Sequence, residues 1–214
     1  LSGILAIDGS GAKAGVAVLD AAGEVVQRRF VEGRPGLIET LPVLLAECTA
    51  GHNFGAVAVT VGPGSFTGLR TSISLAQGFG AAAGIPVLGV AVDEAFAMAL
   101  PVLHRPLWVA IRARKDRIFL IRDGVAAGFA DAEIPRTRGP VALAGDAANE
   151  VAARLAAAGA DVLLTNARQI DPVWVARAAL ARQAAGLAPH PAQPVYVDPP
   201  EAKLPAGGLR PPPV

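Results

Sequence analysis

The chain has one cysteine, Cys48, in 214 residues. That excludes an intrachain disulfide framework and fits a reducing compartment. Cys48 falls on an apolar helical stripe, so it reads as a small buried hydrophobe. Charge is also scarce, at 17% of residues with a net value of +1. No global basic field exists to hold nucleic acid by phosphate neutralisation, so if RNA is involved another subunit is expected to supply most of the grip. The histidines, His52, His104 and His190, are far apart and show no metal-ligand spacing. No apolar run reaches the roughly 18–20 residues of a membrane-spanning helix. The alanine tracts are broken by Glu150, Arg154, Arg177 and Arg182, and Leu1 to Leu5 is too short for a secretory h-region. A cytoplasmic protein with no membrane partner is expected. What is abundant is apolar residue, 52% of the chain, enough for a substantial core in one compact domain or two lobes of about 100 residues.

The most informative stretch is Val61-Gly62-Pro63-Gly64-Ser65-Phe66-Thr67-Gly68-Leu69-Arg70. It joins an apolar strand-like run, Ala56 to Val61, to a helical pattern from Thr67 to Ala83. Glycine there permits positive φ and close backbone approach, and Ser or Thr can cap the exposed N–H groups of the helix. Commoner glycine motifs fail residue by residue. A P-loop needs four residues between its glycines and then Lys-Ser/Thr, whereas five separate Gly62 from Gly68 and Leu69-Arg70 follow. The dinucleotide fingerprint and the nucleophile elbow would each need glycine at Thr67. Ser65 therefore reads as a cap or interface hydroxyl, not a nucleophile.

Upstream, Ile4 to Asp8, Gly15 to Leu19 and Glu24 to Val31 read as an antiparallel meander. Leu37, Leu41, Leu44, Leu45 and Cys48 then mark a helix, with Pro42 kinking it or disturbing its first turn. Strand 56–61, helix 67–83 and strand 87–90 imply a parallel crossover. This is the order of a ribonuclease-H-like lobe, residues 1–100. A smaller lobe is expected over 101–188, with strands at Leu107–Ile111, Arg117–Arg122 and Pro140–Ala144. Gly145-Asp146 should cap a helix from Ala147 to Ala158, and Asp171-Pro172 should open a last helix running to Gly186. Residues 189–214 are proline-rich and are expected to be extended or disordered. No internal sequence repeat stands out.

Within the helix after the glycine stretch, Ser72, Ala76, Gly80 and Gly84 form one row of small residues; Ser74, Gly78 and Ala82 form another. Glycine inside a helix costs about 1 kcal/mol relative to alanine, so a close-packing partner is implied. One row must face the lobe's own sheet. The other, with the helix Leu37 to Cys48, is expected to form a subunit interface.

The run G-P-G-S-F-T-G-L-R, followed by Ile85-Pro86-Val87, resembles the signature of the TsaB (formerly YeaZ) family. I-D-x-S at the start, the Ala113-Arg114 segment and Pro194-Val195-Tyr196 extend the likeness in outline. The resemblance implies an α/β, two-lobed fold of the actin and sugar-kinase superfamily. It also implies a scaffold without chemistry of its own in making threonylcarbamoyladenosine on tRNA. A homologous catalytic subunit (TsaD) and a small ATPase (TsaE) would be its partners, tRNA would meet it through the complex, and a homodimer is possible when it is alone. No cofactor would be tightly bound here; ATP and metal belong to the partner subunits. Catalytic relatives carry an H-x-x-x-H pair, which this chain lacks. The interface residues implied are Leu37, Leu41, Leu45, Gly64, Ser65, Phe66, Thr67, Gly68, Arg70, Ser74 and Gly78. Asp8, Gly9 and Ser10 stand at a vestigial phosphate loop, where Gly9 replaces the family threonine of I-D-T-S. Arg112 stands where the family's D-A-R has aspartate. The rival reading is a kinase-like or peptidase-like enzyme using Asp8 and the glycine loop.

Overall fold

The computed structural model describes residues 2–32 and 37–198. The side chain of Leu37 and the tail beyond Asp198 lie outside the described residues. Two five-stranded sheets share one topology. In the first, β1 (Gly3–Asp8), β2 (Lys13–Leu19) and β3 (Val25–Glu32) form the antiparallel meander. β4 (Phe54–Gly62) and β5 (Val87–Ala91) then add in parallel beside β1, giving the order β3-β2-β1-β4-β5. In the second, β6 (Leu107–Arg114), β7 (Arg117–Arg122) and β8 (Val125–Ala130) are again an antiparallel meander. β9 (Val141–Ala144) and β10 (Val162–Leu164) again add in parallel, in the order β8-β7-β6-β9-β10. The expected two-lobed α/β fold of the actin and sugar-kinase type is present, and a repeat invisible in the sequence is plain in the topology.

Alternation along the strands explains the layers. Leu5, Ile7, Val57, Val59 and Val61 point to one face of the first sheet, where they pack with Leu41, Leu44, Leu45 and Cys48 of α1 (Leu37–Thr49) and Leu69, Ile73 and Ala76 of α2 (Phe66–Ala83). Ile4, Ala6, Ala17 and Ala58 point to the other face. There they meet α3 (Val92–Met98) and α5 (Pro172–Ala184), together with Val109, Ile111 and Ile121 of the second sheet. The remaining face of that sheet buries Trp108, Ala110 and Leu120 against α4 (Ala148–Ala157). Alanines on both sides of the contact, Ala6, Ala17 and Ala58 against Ala176 and Ala179, bring α5 close to the strands. Thus α5, which follows the second sheet in sequence, lies on the first, and one apolar layer is common to both lobes.

Several local expectations change. Asp171 caps α5 by accepting from Val173 N at 2.9 Å, as its sequence position suggests. Asp146 does not cap α4; the N-cap is Ala147, and Asp146 Oδ1 instead accepts from Arg112 N at 2.7 Å. Pro42 lies inside α1 without ending it. β8 and β10 were not apparent in the sequence, because V-A-A-G-F-A has no apolar–polar alternation and V-L-L is only three residues long. Residues 189–198 form no helix; they bend at 192–193 and again at 197–198 and are bonded to the body, where Gly89 N donates to His190 O at 3.0 Å and Val195 N to Val61 O at 2.8 Å. No helix among the described residues is long and apolar enough to cross a membrane.

Candidate functional site

At the end of β1 the chain must turn away from the sheet, and Asp8 organises that turn. Its Oδ1 accepts from Ser10 N at 3.1 Å, Ser10 Oγ at 2.7 Å and Thr60 Oγ1 at 2.7 Å. Asp8 and Thr60 are both buried. Burial holds the Asp8 carboxyl above its ordinary value, against the lowering effect of the Thr60 and Ser10 hydrogen bonds. Thr60 is the one functional partner here that the sequence reading missed. Its signal was a single hydroxyl in an otherwise apolar run, A-V-A-V-T-V.

The signature loop closes directly over this turn. Ser65 N donates to Ser10 O at 2.7 Å, and Ser65 Oγ accepts from Gly68 N at 3.3 Å to cap α2. Gly62 has φ +111°, a left-handed value that glycine accommodates without strain. The backbones touch closely enough to exclude any side chain. A Cβ on Gly64 would fall on Ser10 O, one on Gly68 would fall on Gly9 O, and one on Gly9 would stand 2.6 Å from Gly68 O. The glycines thus interlock two loops, and the phosphate-loop segment Asp8-Gly9-Ser10 is packed against the N-terminus of α2.

Beyond that interlock the loop residues face outward. Phe66 is 56% exposed; the Arg70 guanidinium lies 3.9 Å over its ring and its Nε donates to Tyr196 Oη at 2.9 Å. Phe66 and Tyr196 are in ring contact at 5.7 Å. Together with Gly64, Ala113, Arg114, Phe119 and Asp198 they line a cavity of about 550 Å³ between the two lobes. Arg70 therefore anchors an intramolecular tyrosine. The Arg112–Arg117 segment spans the end of β6, the hairpin turn at Lys115-Asp116 and the start of β7, with Asp116 at φ +58°. Arg112, in the family's aspartate position, is spent within its own lobe. It binds Asp131 at 2.8 and 3.0 Å and Glu150 at 3.0 Å.

The expected interface residues divide into two groups. Leu41 and Leu45 are buried in the first lobe's own core, since the leucine stripe of α1 is its sheet-facing stripe. That stripe is closed to a partner; the outward face of α1 carries Val43, Ala46 and Glu47. On α2, Thr67, Ser74 and Gly78 are exposed, and a Cβ on Gly78 would meet nothing within 4 Å. Gly80 belongs to the other row: a Cβ there would lie 2.5 Å from Val87 Cγ2. Gly68 is buried in the loop interlock, Gly64 and Ser65 are half-buried beside it, and Phe66 and Arg70 reach the surface.

Comparisons with known proteins agree with this architecture. Residues 24–169, well over half of the chain, match the family model for TsaD, tRNA N6-adenosine threonylcarbamoyltransferase. The chain is 32% identical over 137 residues to the tRNA threonylcarbamoyladenosine biosynthesis protein TsaB of Haemophilus influenzae. That match covers 60% of this chain and 58% of the relative's length. Among solved structures, an uncharacterised protein with similarity to peptidase YeaZ from Pseudomonas aeruginosa superposes with a TM-score of 0.74 at 22% identity, covering 92% of this chain and 100% of the other. YeaZ from Pseudomonas aeruginosa gives a TM-score of 0.70, also at 22% identity, over 92% and 100% of the two chains. With the family model matched over most of both lobes, the chain belongs to the TsaD family; a TsaB protein is a relative in sequence and YeaZ structures share its fold.

Proposed function

We propose that this chain is a non-catalytic subunit in the synthesis of threonylcarbamoyladenosine on tRNA. It orders a homologous TsaD-like catalytic subunit through the outward faces of α1 and α2, while a TsaE-like ATPase resets the complex. ATP and metal are held by those partners, and tRNA meets this chain through the assembly. The observation that carries the reading is the exposed small row of α2. Ser74 and Gly78 open a lane with no atom within 4 Å of a Cβ on Gly78, and small lanes let a second helix approach toward the short end of the usual 8–10 Å. A helix retains an exposed glycine at a cost of about 1 kcal/mol, which close contact with a partner would offset.

The rival enzyme reading relies on Asp8 as an acid or metal-binding carboxylate. Against it, Asp8 Oδ1 already accepts three internal hydrogen bonds, and the backbones of Gly64 and Gly68 pack into the loop that would cradle a phosphate. That arrangement favours a structural role for the acid.

Reconstitution separates the two readings. The purified chain, a TsaD-like subunit and a TsaE-like ATPase from the same organism are mixed with tRNA, and threonylcarbamoyladenosine is measured with and without this chain. Product only in its presence, and none from the chain alone, is the expected outcome. Equal product without it rejects the proposal. The interface is tested by Gly78→Leu, which should abolish co-elution with the catalytic subunit while leaving the thermal midpoint of the isolated chain unchanged or raised. Gly80→Leu cannot serve the same purpose, because it would press on Val87 and disturb the lobe itself.

A further inference from the structure

The segment after α5 crosses from one lobe to the other, and the body of the protein is shaped to receive it. Arg182 Nε donates to Ala188 O at 2.6 Å, Gly89 N to His190 O at 3.0 Å, Gln77 Nε2 to Ala192 O at 2.8 Å and Val195 N to Val61 O at 2.8 Å. Three glycines from two sheets make its bed. A Cβ on Gly89 would lie 2.6 Å from His190 O, one on Gly62 would lie 3.1 Å from Val195 O, and one on Gly128 would lie 2.9 Å from Asp198 Oδ1. All the backbone anchors are on the first lobe. Asp198 differs: it reaches β7 of the second lobe and accepts from Arg117 Nε at 2.7 Å and Nη2 at 2.5 Å. Between the anchors and this hook, Val195 to Asp198 form a wall of the interlobe cavity.

We propose that residues 188–198 are a clasp between the lobes, hinged on the first by backbone hydrogen bonds and hooked to the second by Asp198 on Arg117. The hook is the releasable end. The hinge spreads over several bonds along β5, β4 and α2, whereas the hook, among the described residues, is the side-chain pair of Asp198 and Arg117, 26% and 29% exposed and within reach of salt and of competing anions. Its two-pronged geometry fixes the position of Asp198 as well as its charge. The Arg117 guanidinium, with Arg114 nearby, keeps the Asp198 carboxyl below its ordinary value, so the hook is charged at neutral pH and fails only in acid.

Amide hydrogen exchange on the full chain, with an interlobe distance measured between spin labels at Ala81→Cys and Val125→Cys in a Cys48→Ala background, tests the clasp. Asp198→Asn and Arg117→Gln should each speed exchange of the Val195 amide roughly tenfold, the effect of losing one charge-assisted bond. Both should broaden the interlobe distance distribution, and the double variant should be no faster than Arg117→Gln alone. The Gly89 amide, under His190 O at the hinge, should change less than about twofold on the same scale. Unchanged Val195 protection, an unchanged interlobe distribution, effects that multiply in the double variant, or equal loosening of Gly89 would each overturn the proposal.

Discussion

Gly68→Ala is expected to destabilise the folded chain by about 3 kcal/mol or more, even though alanine is the better helix former. The new methyl group would fall on Gly9 O, a backbone atom. That atom cannot rotate aside as the end of a flexible side chain could. To relieve the clash, either the Asp8–Ser10 turn or the first turn of α2 would have to move, and both are tied to the sheet by Ser65 N on Ser10 O and by the Asp8 hydrogen bonds. Gly78→Ala, ten residues along the same helix, is the internal control. Nothing lies within 4 Å of its Cβ, so only helix propensity changes, and stability should rise by up to about 1 kcal/mol. Urea unfolding followed by the fluorescence of Trp108 and Trp174 measures both. If Gly68→Ala were as stable as the parent chain, the loop interlock would be rejected.

The second large effect belongs to Asp8. Asp8→Ala leaves Ser10 N, Ser10 Oγ and Thr60 Oγ1 without their acceptor, and about 3 kcal/mol or more should be lost because stranded buried donors cost more than a hydrogen bond contributes. Asp8→Asn retains an oxygen at the same place and should fold. The two chains should then diverge with pH. Burial, the dominant cause, raises the folded pKa of Asp8 above its ordinary value of 3.8. The folded state therefore keeps a proton that the unfolded chain releases first. The stability contributed by that proton is complete below the unfolded pKa and is lost as pH rises through the folded one. Asparagine has no such proton, so the stability of the parent relative to Asp8→Asn should fall as pH rises from the ordinary carboxylate value of 3.8 through the raised value of the folded state. A difference that stayed flat across that range would show that the carboxyl is ionised throughout and that its burial costs little.

Much of the first lobe was legible because its strands alternate and the glycine-rich stretch marks where β4 gives way to α2; Gly84, expected in the row of small residues, instead closes α2 in the left-handed conformation. The glycine signature located both the strand–helix turn and the family. What stayed hidden required knowing which surface met which. The leucine stripe of α1 gave the helix correctly, but amphipathicity alone does not say whether the apolar face meets its own sheet or a partner, and here it meets the sheet. Gly78 and Gly80 are two residues apart, about 200° around a helix, so they serve opposite faces. Thr60 meets Asp8 across 52 positions of sequence. Asp146 looked like a helix cap because aspartate favours that role, yet the Arg112 backbone, 34 positions away, claims its oxygen. The repeated topology left no trace in the letters because strand order is set by which faces are apolar, and many residue combinations satisfy that.

The position of α5 has a consequence for synthesis of the chain on the ribosome. A nascent protein emerges N-terminus first, and domains generally fold as they appear. Here the first sheet can cover the face that takes α1 and α2 once β5 has emerged. Its opposite face, with Ile4, Ala6, Ala17 and Ala58, meets α3 as that helix follows β5 but waits for the rest of its cover until Pro172–Ala184, after the whole second sheet. Over that interval an apolar sheet surface stands open in the growing chain. The first half is therefore expected to require chaperone protection during translation, and a fragment ending before α5 should aggregate.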